Sequence, residues 1–211
     1  SKFIEKYSKE YDYILTNIDI SKLNYLDDQE ILLHFKEFID KSIFLIPINK
    51  ISKDINKNKW IKSVNIKNNH KNTLTLLIEE EIPFGIFNNN SQRILFSSNL
   101  VFLDILENDN LELNLINFFG KNSIMNSKQI ILTLDQNFIE NISEAIFIEN
   151  RRWNLKLKNS ILLKLPEINP SAAIDNYKKI YSNFSNKDLK AIESIDLRIK
   201  NKAIIKYINN L

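Results

Sequence analysis

Trp60-Ile61-Lys62-Ser63-Val64-Asn65-Ile66-Lys67, then Asn68-Asn69-His70-Lys71-Asn72, then Thr73-Leu74-Thr75-Leu76-Leu77-Ile78-Glu79-Glu80-Glu81-Ile82-Pro83 is the stretch on which the fold turns. Val64 and Ile66 alternate with Ser63, Asn65 and Lys67, and Leu74, Leu76 and Ile78 alternate with Thr73, Thr75 and Leu77. A period of two over runs this short predicts two half-buried strands. The polar run 68–72 between them has turn composition. Pro83 brings no backbone N–H, so the ladder is expected to end before it.

Working upstream, residues 13–20 also alternate, with Ile14, Ile18 and Ile20 against Tyr13, Asn17 and Asp19, which predicts another strand. Asp27-Asp28-Gln29-Glu30 resembles a capping box, and Ile31, Phe35 and Phe38 recur at helical spacing, joined by Leu32 and Ile39. A helix over 27–39 is expected. Ile48, Ile51 and Ile55 make the stripe of a second helix over 49–57. The first third thus reads β-α-α-β-β, with both helices burying their stripes on one face of a small mixed sheet.

Downstream, short strands are expected at 84–88, 93–96 and 100–105, and a helix at 123–135 with Ile130, Ile131 and Leu134 inward. Trp153, Leu155 and Leu157 form one strand face; Ile161, Leu163 and Leu165 form the next, after a turn at 158–160. Asn169-Pro170 opens a helix with Asn as N-cap and Pro at its first position, carrying the stripe Ile174, Tyr177, Ile180, Tyr181 and Phe184. A closing hairpin sets Ile195, Leu197 and Ile199 beside a last strand, 203–208, in which Ala203, Ile205 and Tyr207 share a face. The fold class is α+β: a first domain at 13–82, then a β-rich domain at 83–208 with a mostly antiparallel sheet and flanking helices.

Composition narrows the chemistry. The 211 residues contain no Cys, which excludes disulfides, zinc–thiolate sites and thiol nucleophiles. Acidic and basic residues are interspersed and sum to +3, so there is no clustered Lys/Arg to follow a phosphate backbone. With only 2 Gly, turns fall to the abundant Asn. The longest apolar run, Ile43–Ile48, is far below the roughly 18–20 residues of a membrane span. His34 and His70 stand apart, Gly85 and Gly120 are not part of a phosphate loop, and the Glu79–Glu81 run reads as a solvated strand end whose side chains diverge. Arg151-Arg152-Trp153 is a single triplet and not a base-stacking platform. No catalytic site, metal or cofactor is expected; what remains is a surface for other proteins.

Three stretches resemble the FtsQ/DivIB family. Trp60–Ile66, Thr73–Leu76 and Glu80–Gly85 resemble its W-V-x-x-A-x-V … L-x-I-x-V-x-E-x-x-P-x-A pattern, which closes a β-α-α-β-β POTRA domain. Arg151–Ser160 with Leu165-Pro166-Glu167 resembles R-R-W-D-L-x-L-x-N-G … L-P-E, and Ile195-Asp196-Leu197-Arg198 resembles I-D-L-R. The sequence departs from the pattern at Ile199 (usually Tyr), at Lys202 (usually the hairpin Gly), at Asn159-Ser160 and at the proline-free turn 69–72. The resemblance implies a transmembrane helix before Ser1, with this chain on the periplasmic side of the inner membrane. It implies a non-catalytic scaffold that binds the FtsB–FtsL pair by β-strand addition, and other division proteins through the POTRA domain and the membrane segment. Neither nucleic acid nor any further membrane contact is implied. Carried over by position, the partner-binding candidates are Arg198, Ile199, Asn201 and Tyr207 with Ile205 on the last strand. Tyr181 and Phe184 flank them on the preceding helix, and Arg151 and Arg152 belong to the second stretch. The alternative is another POTRA-bearing protein that binds client polypeptides in transport or outer-membrane assembly.

Overall fold

The computed structural model describes residues 2–89, 91–106 and 114–208. The chain divides into two units, Ser1–Ile82 and Pro83–Leu211.

The first unit runs α1 (Lys2–Glu10), β1 (Asn17–Ile20), α2 (Asp28–Leu33), α3 (Ile48–Ile55), β2 (Ile61–Asn68) and β3 (Thr73–Glu80). Its sheet has the order β1-β3-β2, with β1 parallel and β2 antiparallel to the central β3. The alternation of β3 sends Leu74, Leu76 and Ile78 to one face, where they join Ile31 of α2 and Ile51 and Ile55 of α3 in a single core. Both helices therefore cover the same face.

Three local expectations need correction. The predicted strand 13–20 pairs with β3 only at 17–20. Before that, Leu15 exchanges backbone hydrogen bonds with Lys41 and Asp40, and Ile14 bridges Ser42. This detour turns Leu15 inward, fully buried, in place of Ile14. The helix predicted over 27–39 stops at Leu33. Bonds of the i→i−3 type from His34 and Phe35 tighten the chain, Phe35 drops into the core, and Ile39 is left exposed. Asp27 does cap α2, but through the Gln29 N–H at 2.9 Å, while the Glu30 N–H meets the Asp27 carbonyl. Helix α1 lies ahead of any element the sequence pattern suggested.

The second unit continues with β4 (Pro83–Asn88), β5 (Arg93–Ser97), β6 (Phe102–Ile105), β7 (Ile116–Phe119), α4 (Ser123–Ile131), α5 (Gln136–Ile139), β8 (Ile142–Ile148), β9 (Arg152–Leu157) and β10 (Leu162–Lys164). It closes with α6 (Pro170–Tyr181), α7 (Asn186–Ala191), β11 (Ile192–Asp196) and β12 (Ile204–Tyr207). Nine strands form one sheet in the order β12-β11-β10-β9-β8-β7-β4-β5-β6. The pairs β4–β7, β7–β8 and β10–β11 are parallel and the others antiparallel. Ile130 and Ile131 of α4, Phe138 of α5, and Ile174 and Tyr177 of α6 pack with Phe118, Leu155, Leu163 and Ile195 of the sheet.

Strands β7 and β8 and helix α7 escaped the sequence reading. Ile116-Asn117-Phe118-Phe119 is four residues with apolar side chains on both faces, too short and too uniform to show a period of two. The helix expected at 123–135 breaks after Ile131 and restarts as α5, capped by Asp135 on the Phe138 N–H. Asn169 sits at the N-cap position of α6 but is left-handed, with φ 55°, and its side chain makes no capping bond. Strand β11 starts earlier than predicted and ends at Asp196; Leu197 turns its N–H to the Lys164 carbonyl, and Ile199 is 51% exposed. Asn122, Asn150, Asn169 and Asn201 all have positive φ, the turn role that glycine usually fills.

Gly120 is a position where no substitute fits. Its φ is +98°, and an added Cβ would lie 2.3 Å from the Phe147 carbonyl oxygen, a backbone atom that cannot swing aside. Gly120→Ala is expected to destabilise the second unit by more than about 2 kcal/mol, measured as a lower urea midpoint at unchanged m-value.

Candidate functional site

Strand β12 ends the nine-stranded sheet, so one side of its backbone has no ladder partner among the described residues. The Ile208 N–H donates to the Ala191 carbonyl at 2.8 Å. Strand alternation then turns the backbone groups of Lys206 and Ile204 toward β11, and those of Ile205 and Tyr207 toward the open edge. Side chains follow a different rule. Ile205 packs against the core, whereas Ile204, Tyr207 and Ile208 are each about half exposed. Lys206 pairs with Glu193 across the strands at 2.8 Å. The edge is therefore apolar, with one charge that is already matched. The opposite edge, β6, exposes Phe102 and Ile105; residues 107–113, which follow it in the chain, lie outside the described set.

The turn into β12 holds the other candidates. Arg198 grips the carboxylate of Asp196 in the same chain, with Nε at 2.9 and 3.0 Å and Nη2 at 2.5 Å. This guanidinium holds the Asp196 carboxyl below the usual carboxylate range, against a smaller opposing effect of burial. Asn201 takes the left-handed position with φ 59°, beside a Lys202 N–H bond to the Ile199 carbonyl. The conformation that a hairpin glycine would supply is thus met one residue before Lys202. Arg198, Ile199 and Asn201 line a groove of about 470 Å³ against Ile168, Ala172 and Asn176 at the start of α6.

Arg151 and Arg152 lie across the 166–170 loop from that groove, in a second one of about 530 Å³. Arg151 pairs with Glu149 at 2.8 Å and Glu167 at 3.7 Å, and Arg152 reaches Asn154 at 3.3 Å. Tyr181 does not join them. It sits at the far end of α6, about 16 Å along the axis from Pro170 at 1.5 Å per residue, and packs at a tilt against Tyr177. Phe184 is half-buried against the core.

A family model described as the C-terminal region of cell division protein FtsQ/DivIB matches residues 87–198, and a model of the FtsQ-type POTRA domain matches 15–81. The chain belongs to the FtsQ/DivIB family. It is similar to cell division protein FtsQ of Rickettsia felis, with 30% identity over 196 residues, covering 90% of this chain and 71% of that protein. The corresponding protein of Rickettsia typhi is 29% identical over 195 residues, with the same coverage. That of Novosphingobium aromaticivorans is 21% identical over 160 residues, or 75% of this chain and 50% of the relative. No helix among the described residues is long and apolar enough to cross a membrane.

In the FtsQ-type POTRA unit, the Glu79–Glu81 run has a role that the solvated-strand-end reading missed. Glu79 does face solvent, accepting from Ser63 at 3.0 Å beside Lys62. Glu80 instead accepts the backbone N–H groups of Asn24, Tyr25 and Leu26 at 2.6, 2.9 and 2.9 Å, plus the Asn24 amide. Glu81 is 5% exposed. Glu80 thereby pins the loop from β1 to α2, where Tyr25 packs on Trp60 at 5.4 Å between centroids. Sequence alone carried no signal for this, because donors and acceptor lie more than fifty residues apart. His34 ends α2 and His70 occupies the left-handed turn position between β2 and β3. No group of three metal-ligating side chains occurs among the described residues.

Burial pushes the Glu80 carboxyl up, but the backbone donors and the Asn24 amide outweigh it and hold it below the usual carboxylate range. A depressed folded pKa gives stability that is present above the unfolded value and lost as pH falls through the folded one. Glu80→Gln is expected to lower the stability of the POTRA unit at pH 7 and to flatten its acid-unfolding profile below about pH 4. Denaturation from pH 7 to pH 3, followed by tryptophan fluorescence in a Trp153→Phe background that leaves Trp60 as the only emitter, checks both.

Proposed function

We propose that this chain is the extracytoplasmic part of a membrane-anchored, non-catalytic division scaffold, and that β12 receives an added strand from an FtsB-type partner paired with FtsL. Residues 13–82 serve as the POTRA module and 83–208 as the partner-binding module. The observation that carries the reading is the open edge of β12, where the backbone groups of Ile205 and Tyr207 point away from β11. An exposed apolar edge either associates without control or is covered by a partner.

The supporting residues fall into two classes. Ile204, Tyr207 and Ile208 offer apolar area beside the free backbone, and aromatic anchors of this kind carry much of the affinity in protein interfaces. Arg198 is already engaged with Asp196, so a partner carboxylate would share it and would add only about 0–1 kcal/mol at this exposed position. The groove lined by Ile199, Asn201 and the start of α6 adjoins the entry to β12 and suits a segment that continues past the added strand. Arg151 and Arg152 lie on the far side of the 166–170 loop and would take part only if the partner crosses it. Recruitment of septal cell-wall synthesis follows from this binding, with the chain on the periplasmic side of the inner membrane.

Ile205→Pro tests the edge directly. Because the Ile205 N–H faces outward, proline there leaves the β11 pairing intact and removes a donor that the added strand needs. Affinity for a purified FtsB–FtsL complex is expected to fall by at least about tenfold, with an unchanged circular dichroism spectrum. Tyr207→Ala, a milder variant, is expected to weaken binding by about 1–2 kcal/mol. Wild-type affinity in a folded Ile205→Pro protein would remove β12 as the site.

A further inference from the structure

A third concave site lies away from β12, bounded by α5, the β9–β10 turn and the C-terminal half of α6, with a volume of about 570 Å³. That volume is within the usual range for small-ligand sites, roughly 300–1,000 Å³. Three rings contribute to its lining. Phe138 meets Tyr177 edge-on at 6.0 Å between centroids, and Tyr177 meets Tyr181 at 5.5 Å. Three amide side chains join them, Asn137, Asn141 and Asn159. At the rim Lys178 pairs with Asp135 and lies 5.5 Å from the centre of the Phe138 ring.

The polar groups here are only partly used by the fold. The Asn141 amide nitrogen donates to the Asn137 carbonyl at 2.8 Å, and the Asn159 side-chain oxygen accepts weakly from the Ile161 N–H at 3.3 Å. The Asn137 side chain makes no hydrogen bond among the described residues. Tyr177 is 4% exposed, its hydroxyl has no partner among the described residues, and it is not sealed from solvent, so it opens onto the cavity it lines. Burial, with Tyr181 adding to it, pushes this hydroxyl up, which keeps it a proton donor across the physiological range.

We propose that this cavity binds a short oligosaccharide of N-acetylated sugars. Ring faces such as that of Tyr181, 38% exposed, suit the C–H face of a pyranose. Asn amides offer a donor and an acceptor on one group, as the hydroxyl and acetamido groups of such a sugar require. Leu157 beside Asn159 gives the acetyl methyl an apolar wall next to an amide. A peptide is the poorer fit. Strands β9 and β10 are each paired on both sides, so this end of the sheet has no free ladder groups for an added strand.

The test is titration of the ¹⁵N-labelled full chain with chitotriose, with cellotriose, which lacks the acetamido groups, as control. Saturable shifts confined to residues 135–141, 157–159 and 177–181, and weaker or absent with cellotriose, are the expected result. Tyr181→Ala, which removes an exposed ring, is expected to weaken chitotriose binding by about tenfold or more while the rest of the spectrum is retained. Absence of saturable shifts up to about 10 mM chitotriose, equal response to cellotriose, or an unchanged affinity in both Tyr181→Ala and Asn141→Leu would overturn the proposal.

Discussion

Parallel pairing of β10 with β11 constrains everything at the β12 end of the sheet. Leu162, Leu163 and Lys164 lie beside Ser194, Ile195 and Asp196 in the same direction. Parallel neighbours cannot be joined by a tight turn, so the chain must leave the sheet and return across it. Helices α6 and α7 are that return. Ile174 and Tyr177 are buried because the crossover has to lie on the sheet, against Leu155 and Leu163. The antiparallel hairpin that follows then places β12 beyond β11, with no further strand beside it among the described residues. The same crossover closes the groove beside Ile199 at the start of α6 and the aromatic cavity at its other end.

The POTRA unit meets the corresponding problem on a smaller scale. Its sheet is only three strands wide, and the segments before and between its helices have little ladder to lean on. Non-local hydrogen bonds fix them instead. Leu15 is tied to Lys41, Ser8 to Ser42 at 2.7 Å, Ser21 to the backbone of Ile78, and Asn24–Leu26 to Glu80. A carboxylate that accepts several backbone N–H groups is a stronger tether than an exposed ion pair, because its donors are held by the chain itself. This accounts for a glutamate at the end of the central strand serving the loop that leaves the neighbouring edge strand β1.

Charge plays a secondary part at the β12 edge. Lys206 on the edge strand and Arg198 in the turn before it are each matched by a carboxylate on β11, Glu193 and Asp196. The ion pairs set side-chain positions around the edge and leave its backbone open. Natural edges are often blunted by inward charges or proline; here Ile204, Tyr207 and Ile208 are exposed beside a single lysine, Lys206, whose charge Glu193 matches. Such an edge is better suited to receiving a strand than to repelling one.

Alternation is local, and the sequence carried it. The strands around Val64, Leu76, Trp153 and Leu163, the stripe Ile174–Tyr177 and the α+β class were all legible from spacing, and so was the family resemblance, because each depends on residues a few positions apart. The inward turn of Leu15, the break of the predicted 27–39 helix and the strands β7 and β8 were not, since tertiary pairing overrides a weak local period there. The candidate site divides in the same way. That 203–208 is apolar and β-prone was written in its residues. Only the tertiary structure decided that Ile205 and Tyr207 turn their backbone groups outward and that Tyr181 belongs to a cavity remote from Arg198. Those outcomes depend on strand register and on the crossover of α6, and both are set by partners distant in the chain.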